Sequence, residues 1–233
     1  MLKNGTSQKE AEDVSKSART RERILNSAAY VLSRKGYAAT RLADVAEHAE
    51  LQAPAIYYYF KSREELIEEV MYTGIAHMRA NLLKALDALP PETSPMDRIL
   101  VAVEESLRFE LTISDYTTAS TRNAGQLPEH LRVRHDKERS GYGKIWRGLF
   151  ADASEAGELN PDLDLRAARM LVIGAVSWAV EWWNPKSGSL STVVRTAQTI
   201  VKNGLANYAE IPSVPAKKRA AATRSRRTKT AAS

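Results

Sequence analysis

The sequence predicts an all-α protein, with a small three-helix head followed by a larger helical body. Three observations lead there. Apolar residues recur at helical spacing from Ile24 to Leu205. Helix starts are marked by caps and first-turn prolines, as in Ser62 with Glu65, Ser94 with Pro95, and Asp164. Near the N-terminus, two short helices meet at a tight turn, and the second has two faces of opposite character.

In the first helix, Ile24, Ala28, Val31 and Leu32 form one apolar stripe. Arg34 and Lys35 suit its last turn, and Gly36 can take the left-handed position beyond it. Thr40 then offers a hydroxyl as N-cap to a second helix, whose inner face is Leu42, Val45, Ala46 and Ala49. After a break at Glu50 and Leu51, a third helix starts near Gln52 or Ala53. Pro54 is tolerated in its first turn, where the missing N–H leaves nothing unpaired. Ile56, Tyr59 and Phe60 should face inward, which turns Ala53, Pro54, Tyr57 and Tyr58 outward. A phenol combines a flat apolar body with a hydroxyl that can bond a phosphate oxygen. Two adjacent exposed tyrosines, Lys61 just beyond them, and arginines at 19, 21 and 23 therefore fit a helix-turn-helix that reads DNA better than a bundle with decorative tyrosines.

The segment Thr20–Leu66 resembles the DNA-binding domain of the tetracycline-repressor (TetR/AcrR) family, most recognisably in IYYYFKSREEL, residues 56–66. The resemblance implies a DNA-contacting set of Thr40, Arg41, Gln52, Ala53, Pro54, Tyr57, Tyr58 and Lys61. In that set Thr40, Tyr57 and Lys61 would hold phosphates, while Gln52, Ala53, Pro54 and Tyr58 would lie along the major groove. Two positions depart from the family pattern. Glu50 stands where glycine is usual, which is strained if the turn needs positive φ, and Gln52 stands where a small hydroxyl residue is preferred.

Beyond Leu66 the expected domain boundaries are a disordered arm at 1–18, the head at 19–66, a body at 67–210 for ligand binding and dimerisation, and a disordered basic tail at 211–233. The helix opened by Ser62 continues through Ile67, Val70, Met71 and Met78 and stops before Pro90, and its Glu64, Glu65, Glu68 and Glu69 read as a solvated acidic face. Ser94 and Pro95 open the next, with Ile99, Val101 and Leu107 buried. Residues 113–126 read as irregular. A long helix after Pro128 carries Tyr142, Ile145, Trp146 and Leu149 on one side. The turn NPDLD, residues 160–164, precedes a helix over 165–183 that is apolar around much of its circumference. A last helix from Ser191 bears Val193, Val194, Ala197, Ile200, Val201 and Leu205. These two helices are either simply core or have apolar surface left over for a second copy. The resemblance favours a dimer, which would set two reading helices on successive major grooves roughly 34–36 Å apart or more.

Trp178 and Trp182 share a helical face. With Trp146, Phe109 and Arg122 they are the expected lining of an apolar ligand pocket, although packing alone explains any single tryptophan. The segment 174–185 also resembles the branch of the family that regulates lipid and steroid breakdown and senses acyl-coenzyme A thioesters. Arg122, Arg132, Arg134 and Arg139 could serve such a ligand's phosphates or be a solvated surface, and Glu181 among the tryptophans counts against an anionic ligand.

The 233 residues include no cysteine, so disulfides and thiolate sites are excluded. The four histidines fall in no metal-ligand spacing, and there is neither a glycine-rich phosphate loop nor a nucleophile elbow, so no catalysis, metal or cofactor is expected. With no bilayer-spanning run and a polar N-terminus, a cytoplasmic protein with no membrane partner is expected. The net charge of +6 belongs to the tail, where seven cations from Lys217 to Lys229 follow the last acid, Glu210, and the rest of the chain is nearly neutral. Such a tail either neutralises further phosphates or is inert. The expected function is a ligand-responsive repressor of a palindromic operator. The alternative is a DNA-packaging protein, which would leave the larger domain without a task.

Overall fold

The structure, a computed structural model, describes residues 4–113, 115–186 and 188–207. The described residues are helical, in the order α1 (Asn4–Ala39), α2 (Leu42–His48), α3 (Ala53–Tyr59), α4 (Arg63–Asp87), α5 (Pro95–Arg108), α6 (Asp115–Asn123), α7 (Val133–Glu155), α8 (Leu165–Trp182) and α9 (Leu190–Leu205). A π-helical turn, Phe109–Ile113, follows α5, and a 3₁₀ turn, Glu129–Leu131, precedes α7. The basic tail lies outside the described residues.

α1 reaches back to Asn4, so the expected disordered arm is helix from that residue on. Low apolar content shows only that a segment cannot bury itself. It does not stop a helix already nucleated around Ile24, and no proline precedes Pro54. Gly36 has φ 75 and bends α1 where a C-terminal stop is expected. The stretch 113–126, expected to be irregular, contains α6. The π-helical turn before it resets the helical register, which is why the apolar spacing looks broken there.

Two cores form. The head core gathers Ile24, Ala28, Leu32, Val45, Ile56 and Phe60 and continues into Leu66, Ile67, Val70 and Met71 of α4. Each fully buried large side chain contributes roughly 1.5–3 kcal/mol. α4 therefore belongs to both units, and the domain boundary expected at residue 66 falls inside one unbroken helix. Above it, α5, α7, α8 and α9 enclose the second core around Ile99, Leu107, Trp146, Phe150 and Val176. Caps at Ser62, Ser94, Asp164 and Ser189 each accept an N–H from the first turn they open. An antiparallel bridge between Leu159 and Ala206 ties the end of α9 to the loop after α7.

α6 joins the two units. It lies against both α1 and α4, and Gly74 of α4 is what lets it approach, since a Cβ there would collide with the Tyr116 carbonyl. At its far end the Asn123 side chain accepts the Tyr37 N–H at 2.8 Å. At its start Asp115 accepts from Ser33 at 3.0 Å and pairs with Arg34 at 2.7 Å.

Candidate functional site

The turn between α2 and α3 closes by two backbone bonds, Glu50 N–H to Glu47 O at 3.1 Å and Leu51 N–H to Ala46 O at 2.9 Å. That closure requires a left-handed residue, and it is Glu50, with φ 53, the one non-glycine positive φ among the described residues. α3 then buries Ile56, packs Tyr59 partly against the head core and ends on buried Phe60. Its other face is open, with Tyr57 59% and Tyr58 82% exposed and Gln52, Pro54 and Lys61 also exposed. Arg41, the residue at the N-cap of α2, is exposed beside them.

Two members of the expected DNA-contacting set stand elsewhere. Thr40 is buried, and its hydroxyl donates to Gly36 O at 2.7 Å instead of capping α2. It sits four residues after that carbonyl, so back-bonding within the last turn of α1 competes with capping and wins. Ala53 is half-buried against the head core, not outward. Of the basic residues before α1's stripe, Arg21 is spent inside the molecule, 3.2 Å from Glu69 and 5.0 Å from the centre of the Phe60 ring.

Sequence reasoning missed Arg63. It donates to the carbonyls of Thr40, at 2.6 Å, and Tyr37, and lies over the Tyr37 ring. The start of α4 is thereby pinned to the entrance of the reading motif. One turn further along, two of the acidic residues expected on a solvated face, Glu68 and Glu69, are structural. Arg134 of α7 reaches Glu68 at 3.0 Å and Glu69 at 2.8 Å, and burial pushes the Glu68 carboxyl above its usual range.

In the body the expected aromatic wall does not assemble. Trp146 is fully buried in the core, whereas Trp178 and Trp182 are 65% and 56% exposed. Periodicity places those two on one face correctly, but the face looks outward, in line with exposed Leu171. With Met170 and, on α9, Ile200, they form an uncovered apolar surface. Arg122 is engaged rather than free. It pairs with Glu181 at 2.7 Å and donates to Val180 O on α8 and to Ser33 O on α1, so it ties α8 to the head through α6. The same pair explains Glu181 among the tryptophans.

Two cavities border the body helices. One, of about 270 Å³, is an apolar groove between α8 and α9, floored by Leu107 and edged by Trp182. The other, of about 580 Å³, opens where α1, α4 and α6 meet and is lined by Asn26, His77, Lys84, Phe109 and Tyr116. Phe109 thus borders a cavity, though not one shared with the tryptophans. Among the described residues, no helix is long and apolar enough to cross a membrane.

Known proteins share this arrangement. Residues 24–70 match the model of the tetR family of bacterial regulatory proteins, and residues 92–203 match that of the tetracyclin repressor-like C-terminal domain. The HTH-type transcriptional repressor KstR2 of Mycolicibacterium smegmatis is 24% identical over 182 residues, 76% of this chain and 85% of that protein. The crystal structure of AibR in complex with isovaleryl coenzyme A and operator DNA superposes with a TM-score of 0.70 at 18% identity, covering 78% of this chain and 96% of that one. A transcriptional regulator of the TetR/AcrR family from Thermobifida fusca is 30% identical, with a TM-score of 0.59, over 79% of this chain and 97% of its own. Both halves match, and the chain belongs to the tetR family of bacterial regulatory proteins.

Proposed function

We propose that the protein is a homodimeric repressor whose paired heads occupy one palindromic operator and leave it when the body binds a small apolar effector, with an acyl-coenzyme A as the first candidate. The observation that carries this reading is the open face of α3. A seven-residue helix buries Ile56 completely on one side and leaves two tyrosines bare on the other. Tyr57, Lys61 and Arg41 would hold phosphates, while Gln52, Pro54 and Tyr58 would meet base edges. Thr40 would support the approach by fixing the Gly36 carbonyl.

The uncovered surface of Leu171, Trp178, Trp182 and Ile200 supports pairing with a second copy, because a two-fold axis would bury all four on both protomers. The effector class rests on the acyl-coenzyme A named with AibR. The arginines bear on it too, since Arg122 and Arg134 are paired internally and any ligand phosphates would need other cations. Transmission would run through α4 and α6. Arg63 fixes α4 to the reading motif, and Arg122 and Asn123 fix α6 to the end of α1. Release requires the effector to prefer one head spacing over the other, because tight binding to both states shifts nothing.

The test is fluorescence anisotropy on DNA from upstream of the protein's own gene against a shuffled fragment, at fixed salt, with and without palmitoyl-coenzyme A. Selective binding abolished by the thioester supports the whole reading. Selective binding that ignores it removes the acyl-coenzyme A. Equal binding to both fragments rejects an operator there and favours the packaging role.

A further inference from the structure

Two arginines from different parts of the molecule meet on one carboxylate. Arg21, on the head helix α1, donates to Glu69 Oε1 at 3.2 Å, and Arg134, near the start of the body helix α7, donates to Glu69 Oε2 at 2.8 Å. Glu69 itself stands on α4. Each oxygen of the carboxylate therefore serves a different helix. Arg134 is held by further contacts, because it reaches Glu68 at 3.0 Å and lies 3.9 Å from the centre of the Tyr72 ring. Beyond Glu69 the contacts continue into the reading motif. The Arg21 guanidinium lies 5.0 Å from the centre of the Phe60 ring. Phe60 is the residue that ends α3, and its N–H is bonded to Ile56 O at 2.9 Å.

The electrostatics mark Glu69 as the hub. Glu68 is buried and Glu69 half-buried. Burial alone would push both carboxyls up. At Glu69 the bonds from Arg134 and Arg21 reverse that push and hold the carboxyl below its ordinary range, whereas at Glu68, with Arg134 alone, burial wins. Charge-assisted bonds of this kind are roughly twice as strong as neutral ones. Without Arg134, Glu69 would be held from the α1 side only, and Arg21 would lose the fixed acceptor that aims it at Phe60.

α7 connects this junction to the body core. It is one unbroken helix from Val133 to Glu155. Trp146, fully buried in that core, follows Arg134 by roughly 18 Å along the helix axis. A rigid helix of this kind carries a displacement of its core end to Arg134.

We infer that Arg134 is a positioning residue for DNA reading, which acts through Glu69 and Arg21 to set Phe60 and with it the end of α3. This rests on reading α3 as the recognition helix. It adds a line from body to head that starts on α7 and uses neither the Arg63 contacts of α4 nor the Arg122 contacts of α6.

The test is hydrogen exchange of the full-length protein, read by mass spectrometry without DNA. In Arg134→Met and in Glu69→Gln the amides of residues 53–60 should exchange at least about fivefold faster, while those around Trp146 keep their native rate. Adding Arg134→Met to Glu69→Gln should change nothing further, because both substitutions remove the same link. Arg134→Lys keeps a cation on Glu69 and should restore most of the native protection. α7 remains tied to α4 in all of these variants by Arg79 and Glu138, 2.8 Å apart, so the fold should survive. Glu69→Gln preserves size and decides the matter if Arg134→Met, which strips Glu68 of its cation, fails to fold. Native exchange of residues 53–60 in the variants, faster exchange spread equally over head and body, or effects of the two substitutions that add, overturns the inference. Because no readout contains DNA, the outcomes separate. Faster exchange of α3 in the variants of a protein that binds operator and shuffled fragments alike sinks only the repressor reading, and unchanged exchange of α3 in those of a protein that selects its operator sinks only this inference.

Discussion

Replacing Glu50 by glycine should stabilise the protein. Glu50 is exposed, and its backbone closes the turn between α2 and α3 at φ 53. For a residue with a Cβ, the left-handed region costs roughly 1–2 kcal/mol through the clash with the following carbonyl. Glycine avoids the clash but loses more freedom on folding, which gives back roughly 0.5–1 kcal/mol. The net gain is about 0.5–1 kcal/mol, and for a chain of this size each kcal/mol raises the melting temperature by roughly 2–4 °C. Glu50→Ala is the control, because it removes the charge and keeps the Cβ, so it should stay within about 0.5 kcal/mol of the native protein. The assay is thermal unfolding by far-UV circular dichroism at one fixed protein concentration, since dimerisation would make the midpoint depend on concentration. If the glycine variant is no more stable than the alanine variant, the strain argument fails.

Three further outcomes are expected. Tyr57→Phe should weaken binding to operator and shuffled DNA alike, by about fivefold for one phosphate bond worth about 1 kcal/mol, and an anisotropy titration showing a loss confined to the operator would move Tyr57 into the reading set. Leu171→Glu, at a residue 74% exposed on the uncovered face of α8, should convert dimer to monomer in sedimentation equilibrium, and a dimer that persists would place the interface elsewhere. Glu110→Gln should change how stability depends on pH. The folded carboxyl titrates near 7 against an ordinary 4.5, so the unfolded chain loses its proton first as pH rises. The native protein therefore loses stability between those values, by about 3 kcal/mol in full above pH 7 and not at all below 4.5. The urea midpoint of the variant relative to native should rise from pH 5 to pH 8, and a difference that does not vary with pH would contradict the buried, unpaired carboxyl.

The head was legible because its signals are local. Gly36, Pro54 and the Ser62 cap act within one or two turns, and the strain at Glu50 follows from the turn it must close. Thr40 shows the limit of local reading, since a hydroxyl four residues after a carbonyl can bond backward as readily as forward. The body was legible as helices but not as a pocket. Periodicity shows that Trp178 and Trp182 share a face, and it cannot show whether that face looks into a core or out of it. The pairing of Arg122 with Glu181 joins residues 59 positions apart, and that of Arg134 with Glu69 joins residues 65 apart. No spacing rule reaches across such distances. Glu110 was hidden for another reason, because the π-helical turn resets the register at the residue where the pattern would have exposed a charge on a buried face.

The most direct test of the central claim is a hydroxyl-radical footprint on whichever DNA fragment the protein selects. Two heads on one operator predict two protected patches on one face of the duplex, centred about one helical turn apart or more and related by the symmetry of the site. Tyr58→Ala should erase both patches together. A single protected patch, or uniform protection without sequence position, would contradict a paired reading head.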